Sequence, residues 1–134
     1  MSTELFYLTL TGVLAASLWI PFIVGTGLSV ADPGPDFIRP PDLRALPAWV
    51  HRAHRAHLNL IEQATPFAAL VLIAHAAQVS TVVTVWATAI FFWLRVAHAA
   101  GMISGVFRFP LRPIVFTAGW LCTLALAWEV LTAG

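Results

Sequence analysis

Arg55-Ala56-His57-Leu58-Asn59-Leu60-Ile61-Glu62-Gln63-Ala64-Thr65-Pro66-Phe67 sets arginine, asparagine and glutamate inside a chain that is otherwise apolar. From Ala64 to Ala77 no Asp, Glu, Lys or Arg occurs, so the stretch reads as the polar end of a membrane-spanning helix. Ionisable groups are costly in such a span. They usually face a bundle interior or a water-filled cavity and mark function. With Arg55 at zero and about 100° per residue, Asn59 falls near +40°, Glu62 near −20° and Arg52 near +60°. The four share one stripe, while His54 and His57 fall off it.

Composition supports a membrane setting. The 134 residues are 60% hydrophobic and 10% charged, against roughly 25% charged in a soluble domain, and the mean hydropathy is +0.86. All seven basic residues are arginines and the net charge is only +1, so there is no basic footprint for nucleic acid. Cys122 is the single cysteine, which excludes an internal disulfide and an all-cysteine metal site. It reads as a small core or lipid-facing residue.

An all-α integral membrane protein with four spans follows, in one domain over residues 1–134. The first span lies within Leu5–Ala31, an uncharged run too long for a signal-peptide core of about 7–15 residues and without a basic region before it. Pro21 is expected to kink it. The second span is Ala48–Ala77, the third Val82–Ile103 after the break Gln78–Thr81, and the fourth Ile114–Leu131. The proline-rich connection Asp32–Pro47 reads as an irregular loop. It shares a membrane face with the connection Gly105–Pro113, which carries Arg108 and Arg112. The opposite face has Glu4 and Glu129 and no arginine, so positive-inside bias puts the arginine-bearing loops in the cytoplasm and both termini outside.

The architecture expected is a four-helix up-down bundle with a polar site at its cytoplasmic end. One such bundle has little room for a polar pocket, which favours a site between subunits. Ala15, Ala16, Ala68, Ala69, Ala87 and Ala89 would permit close helix approach. Gly101-Met102-Ile103-Ser104-Gly105 has small-xxx-small spacing, but its place at a helix end reads better as a C-terminal cap.

Two constellations could carry chemistry. One is Arg52, Arg55, Asn59 and Glu62, with Asn59 and Glu62 expected to be buried. The other is Arg95 and His98, three apart on one face, with Arg108 and Arg112 in the following loop. Arginine grips carboxylates through a rigid fork, asparagine both donates and accepts, and glutamate can receive an ammonium group. Together they suit a small zwitterionic ligand such as a peptide. A guanidinium beside a thiol also favours the thiolate. A structural reading stands beside this one: Glu62 neutralises Arg55 or Arg95, and Arg108 and Arg112 serve topology or hold lipid headgroups. His51, His54 and His57 diverge by about 120° across the set, so no metal site is expected. His75 reads as an interhelical hydrogen-bonding residue. The six tryptophans read as interface anchors.

The motif Arg55-Ala56-His57-x-Asn59-x-x-Glu62-x-x-x-Pro66-Phe67 resembles the second-helix signature of the MAPEG family, the membrane-associated proteins in eicosanoid and glutathione metabolism. Arg95-Val96-Ala97-His98 and Arg108-Phe109-Pro110-Leu111-Arg112 resemble the same family's third helix and the entry to its fourth. The likeness is closest to the prostaglandin E synthase and microsomal glutathione transferase branches and their bacterial relatives. The resemblance implies four-helix subunits assembled as homotrimers, with glutathione bound between subunits near the cytoplasmic face. It implies Asn59, Glu62, Arg95, His98 and Arg112 as glutathione-site positions, Arg112 as the thiolate stabiliser, and Arg52, Arg55 and Arg108 as structural or secondary. Glu62 would meet the ligand's amino group or hold Arg95. Four departures stand out. Met102 replaces a tyrosine found in many members, Pro113 replaces a serine, the first span lacks an arginine, and the loop before Arg112 is one residue longer.

The expected function is that of a glutathione-dependent membrane enzyme of the microsomal transferase or peroxidase type. Its thiolate would attack a lipophilic electrophile or hydroperoxide arriving from the bilayer, with the chain embedded in lipid, in a bacterial inner membrane. The alternative is a non-catalytic scaffold or subunit on the same fold that binds lipid or another membrane protein. A transporter or proton relay would need ionisable groups spread across the membrane, whereas these gather at one end.

Overall fold

The computed structural model describes residues 1–29, 42 and 44–133. Most of the expected loop Asp32–Pro47, namely residues 32–41 and 43, lies outside the described residues. The regular structure of the described residues is all helix: α1 (Thr3–Ser17), α2 (Ile20–Ser29), α3 (Ala48–Ala76), α4 (Val82–Ser104) and α5 (Leu111–Thr132). With α1 and α2 taken as one path, there are four helical segments long and apolar enough to cross a membrane. About 20 residues suffice for a crossing.

The first span breaks where the sequence predicts a kink. Pro21 lacks an N–H, and its ring would meet the carbonyl four residues back, at Ser17. α1 ends at that residue, and Leu18 and Trp19 form the joint before α2 begins.

Each later terminus has a local cause. The break after α3 closes through a left-handed residue, Gln78 at φ 57°, with Val79 N–H donating to Ala74 O at 2.9 Å. This six-to-one bond is the Schellman arrangement. α4 opens on a capping box in which Thr81 and Thr84 exchange side-chain and backbone bonds, and it closes on Gly105 at φ 81°. α5 starts at Leu111, three residues before the expected boundary. Pro113 permits this because a proline in the first helical turn forfeits no intrahelical bond. Arg112 therefore belongs to the first turn of α5 rather than to the loop.

α4 is central, packing on α1, α3 and α5, while α2 packs on α3. Small residues allow the close approaches, as membrane helices require. They are not the ones expected. Of the six alanines singled out, only Ala87 is buried within the subunit, and the contacts run through Ala53, Ala56, Ala74 and Ala99. Phe67 of α3 and Phe91 of α4 stack with centroids 3.7 Å apart, at the centre of a cluster with Val71, Ala87 and Leu126. A second cluster, nearer the arginine-bearing end, joins Leu18, Ala56, Leu60, Ala99 and Met102.

Candidate functional site

The inward face of α3 decides where its polar residues go. Val50, Ala53, Ala56, Leu60, Gln63, Phe67, Val71 and Ala74 are buried, and on the scale above they centre near about +120°. Asn59 and Arg52 lie on the shoulder of that face and are half-buried. Arg55 and Glu62 lie beyond it and are exposed. Within one subunit Asn59 and Glu62 therefore do not form a buried pair, because the core of the subunit claims the next face round. Asn59 donates to its own helix, at Arg55 O, at 2.8 Å.

Arg52 has a structural task. Its Nε and Nη2 donate to Ile103 O at 3.3 and 3.2 Å, satisfying a carbonyl at the end of α4 beside Gly105. An arginine there also suits the negative end of the helix dipole. The glycine pair reads accordingly. Gly105 is the left-handed cap, and Gly101 lies against the ring of Phe107, where a Cβ would collide.

Arg95 and His98 are brought together as the three-residue spacing predicts, each only 2% exposed. Among the described residues no carboxylate holds Arg95. Its Nη2 donates to Val115 O at 2.9 Å, and its Nε and Nη1 have no partner, so the ion pair with Glu62 does not form. The guanidinium lies 5.5 Å from the Phe91 ring centroid and 5.9 Å from that of Phe116. Cation–π attraction recovers part of its lost hydration. Gly119 leaves the space it occupies, since a Cβ there would meet the guanidinium and Gln63 Oε1.

Gln63 escaped the sequence reading. It is buried, donates from Nε2 to Phe116 O at 3.2 Å, and keeps Oε1 without a partner, as His98 does Nε2. The available signal was an amide on the same helical face as Leu60 and Phe67. Gly119, the one glycine of α5, was the complementary one.

Asn59 and Arg112 line one open cleft of about 310 Å³ between α3 and α5, with Pro113, Phe116 and Thr117. Phe116 connects this cleft to the seat of Arg95, because its carbonyl accepts from Gln63 and its ring flanks the guanidinium. The cleft offers a forked cation, an amide and the positive N-terminal end of α5, an arrangement that favours an anionic ligand. Arg108 is exposed in the loop. Among the histidines of α3, His54 packs against Phe22 with the rings tilted by 35° and centroids 4.4 Å apart. Among the described residues no cluster of three His, Cys, Asp or Glu side chains could hold a metal ion.

Compared with family models, residues 5–132 match the one described as the MAPEG family, nearly the whole chain. No curated protein matches the chain.

Proposed function

The chain belongs to the MAPEG family, and on that premise we propose that it is a glutathione-dependent membrane enzyme acting on lipophilic electrophiles or hydroperoxides. One observation carries the reading: Asn59 and Arg112, distant in sequence, line the same cleft. The donor set fits a tripeptide with two carboxylates. Arg112 at the first turn of α5 supplies a guanidinium where the helix end is already positive, and both favour a thiolate over a thiol, whose free pKa is about 8.5. Arg95 and His98 lie behind with unpartnered nitrogens, available to ligand carboxylates if α5 shifts. Exposed Glu62 offers a carboxylate to an ammonium group. Binding between the subunits of a homotrimer would cover both it and the cleft. The site lies at the arginine-bearing end of the bundle, the cytoplasmic end by positive-inside bias. The lipophile enters from the bilayer, and a charged product has reason to leave toward water.

The test is a titration of the detergent-purified chain with glutathione, followed by calorimetry and by ultraviolet thiolate absorbance. Saturable binding with a thiolate signal is expected, both lost or weakened about tenfold or more in Arg112→Ala, as for removal of a charged hydrogen-bond partner. No binding at millimolar glutathione would sink the proposal.

One observation favours a second reading, a non-catalytic scaffold or lipid-binding subunit. Met102 is 5% exposed and packed with Leu18, Ala56, Leu60 and Ala99, so the position where many members carry a tyrosine hydroxyl serves the core here. Pro113 in the cleft wall and the absence of arginine from α1 and α2 point the same way. That reading predicts glutathione binding without thiolate formation, or a stable membrane-protein partner.

A further inference from the structure

The end of the bundle away from the arginines holds a cavity of about 430 Å³ where the start of α1 meets the turn between α3 and α4. Glu4 lines it and is only 6% exposed. Its Oε1 accepts from Ser80 Oγ at 2.7 Å and from Thr84 Oγ1 at 2.8 Å. Both hydroxyls converge on that oxygen, and the Ser2 hydroxyl and the Glu4 backbone N–H are further donors to the carboxylate. No arginine lines the cavity. A carboxylate so deeply buried in a membrane protein is costly unless a cation or a dense set of donors meets it.

Glu4 lies in the first turn of α1, whose positive end favours the charged carboxylate, but capping of α4 does not depend on it. α4 is capped by its own Thr81–Thr84 box, and the Thr81 hydroxyl donates onward to Glu129 Oε2 at 2.6 Å. A capping role for Glu4 needs no cavity beside it.

We propose that this cavity binds a primary ammonium group, of the kind carried by phosphatidylethanolamine headgroups and by free ethanolamine. The volume falls within the ~300–1,000 Å³ typical of small-molecule sites and far exceeds that of a bare ion. Glu4 supplies the charge, and Gln78 and His75 on the rim offer further polar atoms. Val71, Ala74 and Leu126 form an apolar wall for the carbon chain behind the amine. No Phe, Tyr or Trp lines the cavity. A quaternary ammonium, which is recognised by aromatic cages, is therefore disfavoured against an amine with N–H donors. The cavity lies at helix ends, the depth of lipid headgroups. It is remote from the Arg112 cleft, so its fate is separate from that of the proposed enzyme activity.

The experiment embeds the full chain in vesicles of equal phosphatidylethanolamine and phosphatidylcholine, extracts it in detergent and measures co-purifying lipid by mass spectrometry. The expected result is an ethanolamine-lipid enrichment of about tenfold, equivalent to ~1.4 kcal/mol, falling to near unity in Glu4→Gln. Ala76→Phe, at an exposed position on the rim, is expected to abolish the enrichment with the carboxylate intact. It keeps the test decisive if Glu4→Gln fails to fold. Displacement by free ethanolamine but not choline assigns the amine itself as ligand, and enrichment that resists free ethanolamine assigns the lipid. No enrichment in the native chain, or enrichment that survives both variants, overturns the proposal.

Discussion

Arg95 shows what a charged residue needs at this depth. It has one backbone carbonyl, two aromatic faces and the missing side chain of Gly119, and no counter-charge among the described residues. A prediction follows from that seat. Gly119→Ala puts a methyl group into the guanidinium and against Gln63 Oε1, so it is expected to destabilise the protein by about 1–3 kcal/mol, the cost of overpacking a tight interior. Gly12 has open space around its Cα, so Gly12→Ala serves as the control and should change stability by no more than about 1 kcal/mol in the favourable direction. Thermal unfolding of the two variants in one detergent checks the difference, and equal midpoints would contradict the seat. The spacing of Arg95 and His98 made their shared face legible in advance. The involvement of Gln63 was not, because an amide within an amphipathic helix carries no mark of which neighbour it will meet. Glu62 misled for the converse reason: its stripe was read correctly, but the angle between that stripe and the core depends on where α4 and α5 lie.

Helix ends were the less legible features of the elements, and their chemistry explains why. A proline signals that a helix yields nearby without saying whether it bends or breaks. At Pro21 the path breaks into α1 and α2, and at Pro66 α3 runs through without interruption. Pro113 marked a boundary in the sequence, yet α5 starts ahead of it because the first helical turn tolerates proline. Two C-termini offer a sharper comparison. α3 and α4 both end through a left-handed residue, Gln78 at φ 57° in one case and Gly105 at φ 81° in the other. A side chain in that conformation costs roughly 1–2 kcal/mol, so the same exchange should have opposite signs at the two ends. Gly105→Ala is expected to destabilise by about that amount, with an added penalty because its Cβ would lie 3.1 Å from the Arg52 guanidinium carbon. Gln78→Gly is expected to stabilise by up to about 1 kcal/mol, less the extra chain entropy of glycine. Denaturant or thermal midpoints of the pair decide the matter, and two changes of the same sign would mean that contacts beyond backbone conformation dominate these caps.

At the scale of the whole molecule, the exposed apolar side chains of all four spans, such as Val13, Leu72, Trp86 and Trp128, match a lipid environment, and composition alone was enough to read this. Assembly is a different matter, because sequence periodicity says which face is polar and not what covers it. Arg55 and Glu62 leave the core face of α3 and stand on the outside of one subunit. Left against hydrocarbon, each would cost several kcal/mol at the bilayer centre and less toward the headgroups. A second copy of the chain laid over this stripe would exchange that cost for polar contacts between subunits, and it would close the open side of the Asn59–Arg112 cleft at the same time. The expected outcome is that the detergent-purified chain weighs as three copies by light scattering or native mass spectrometry. Glu62→Arg, which sets a like charge about two helical turns from Arg55, is expected to shift that mass toward one copy and to weaken glutathione binding in parallel. Leu28 is also exposed but lies on α2 rather than on α3, so a charge placed at Leu28 should leave the mass unchanged. If the native chain weighs as a single copy, the outward carboxylate must instead reach water at the rim of the bundle. The cleft would then bind its ligand without help from a neighbour.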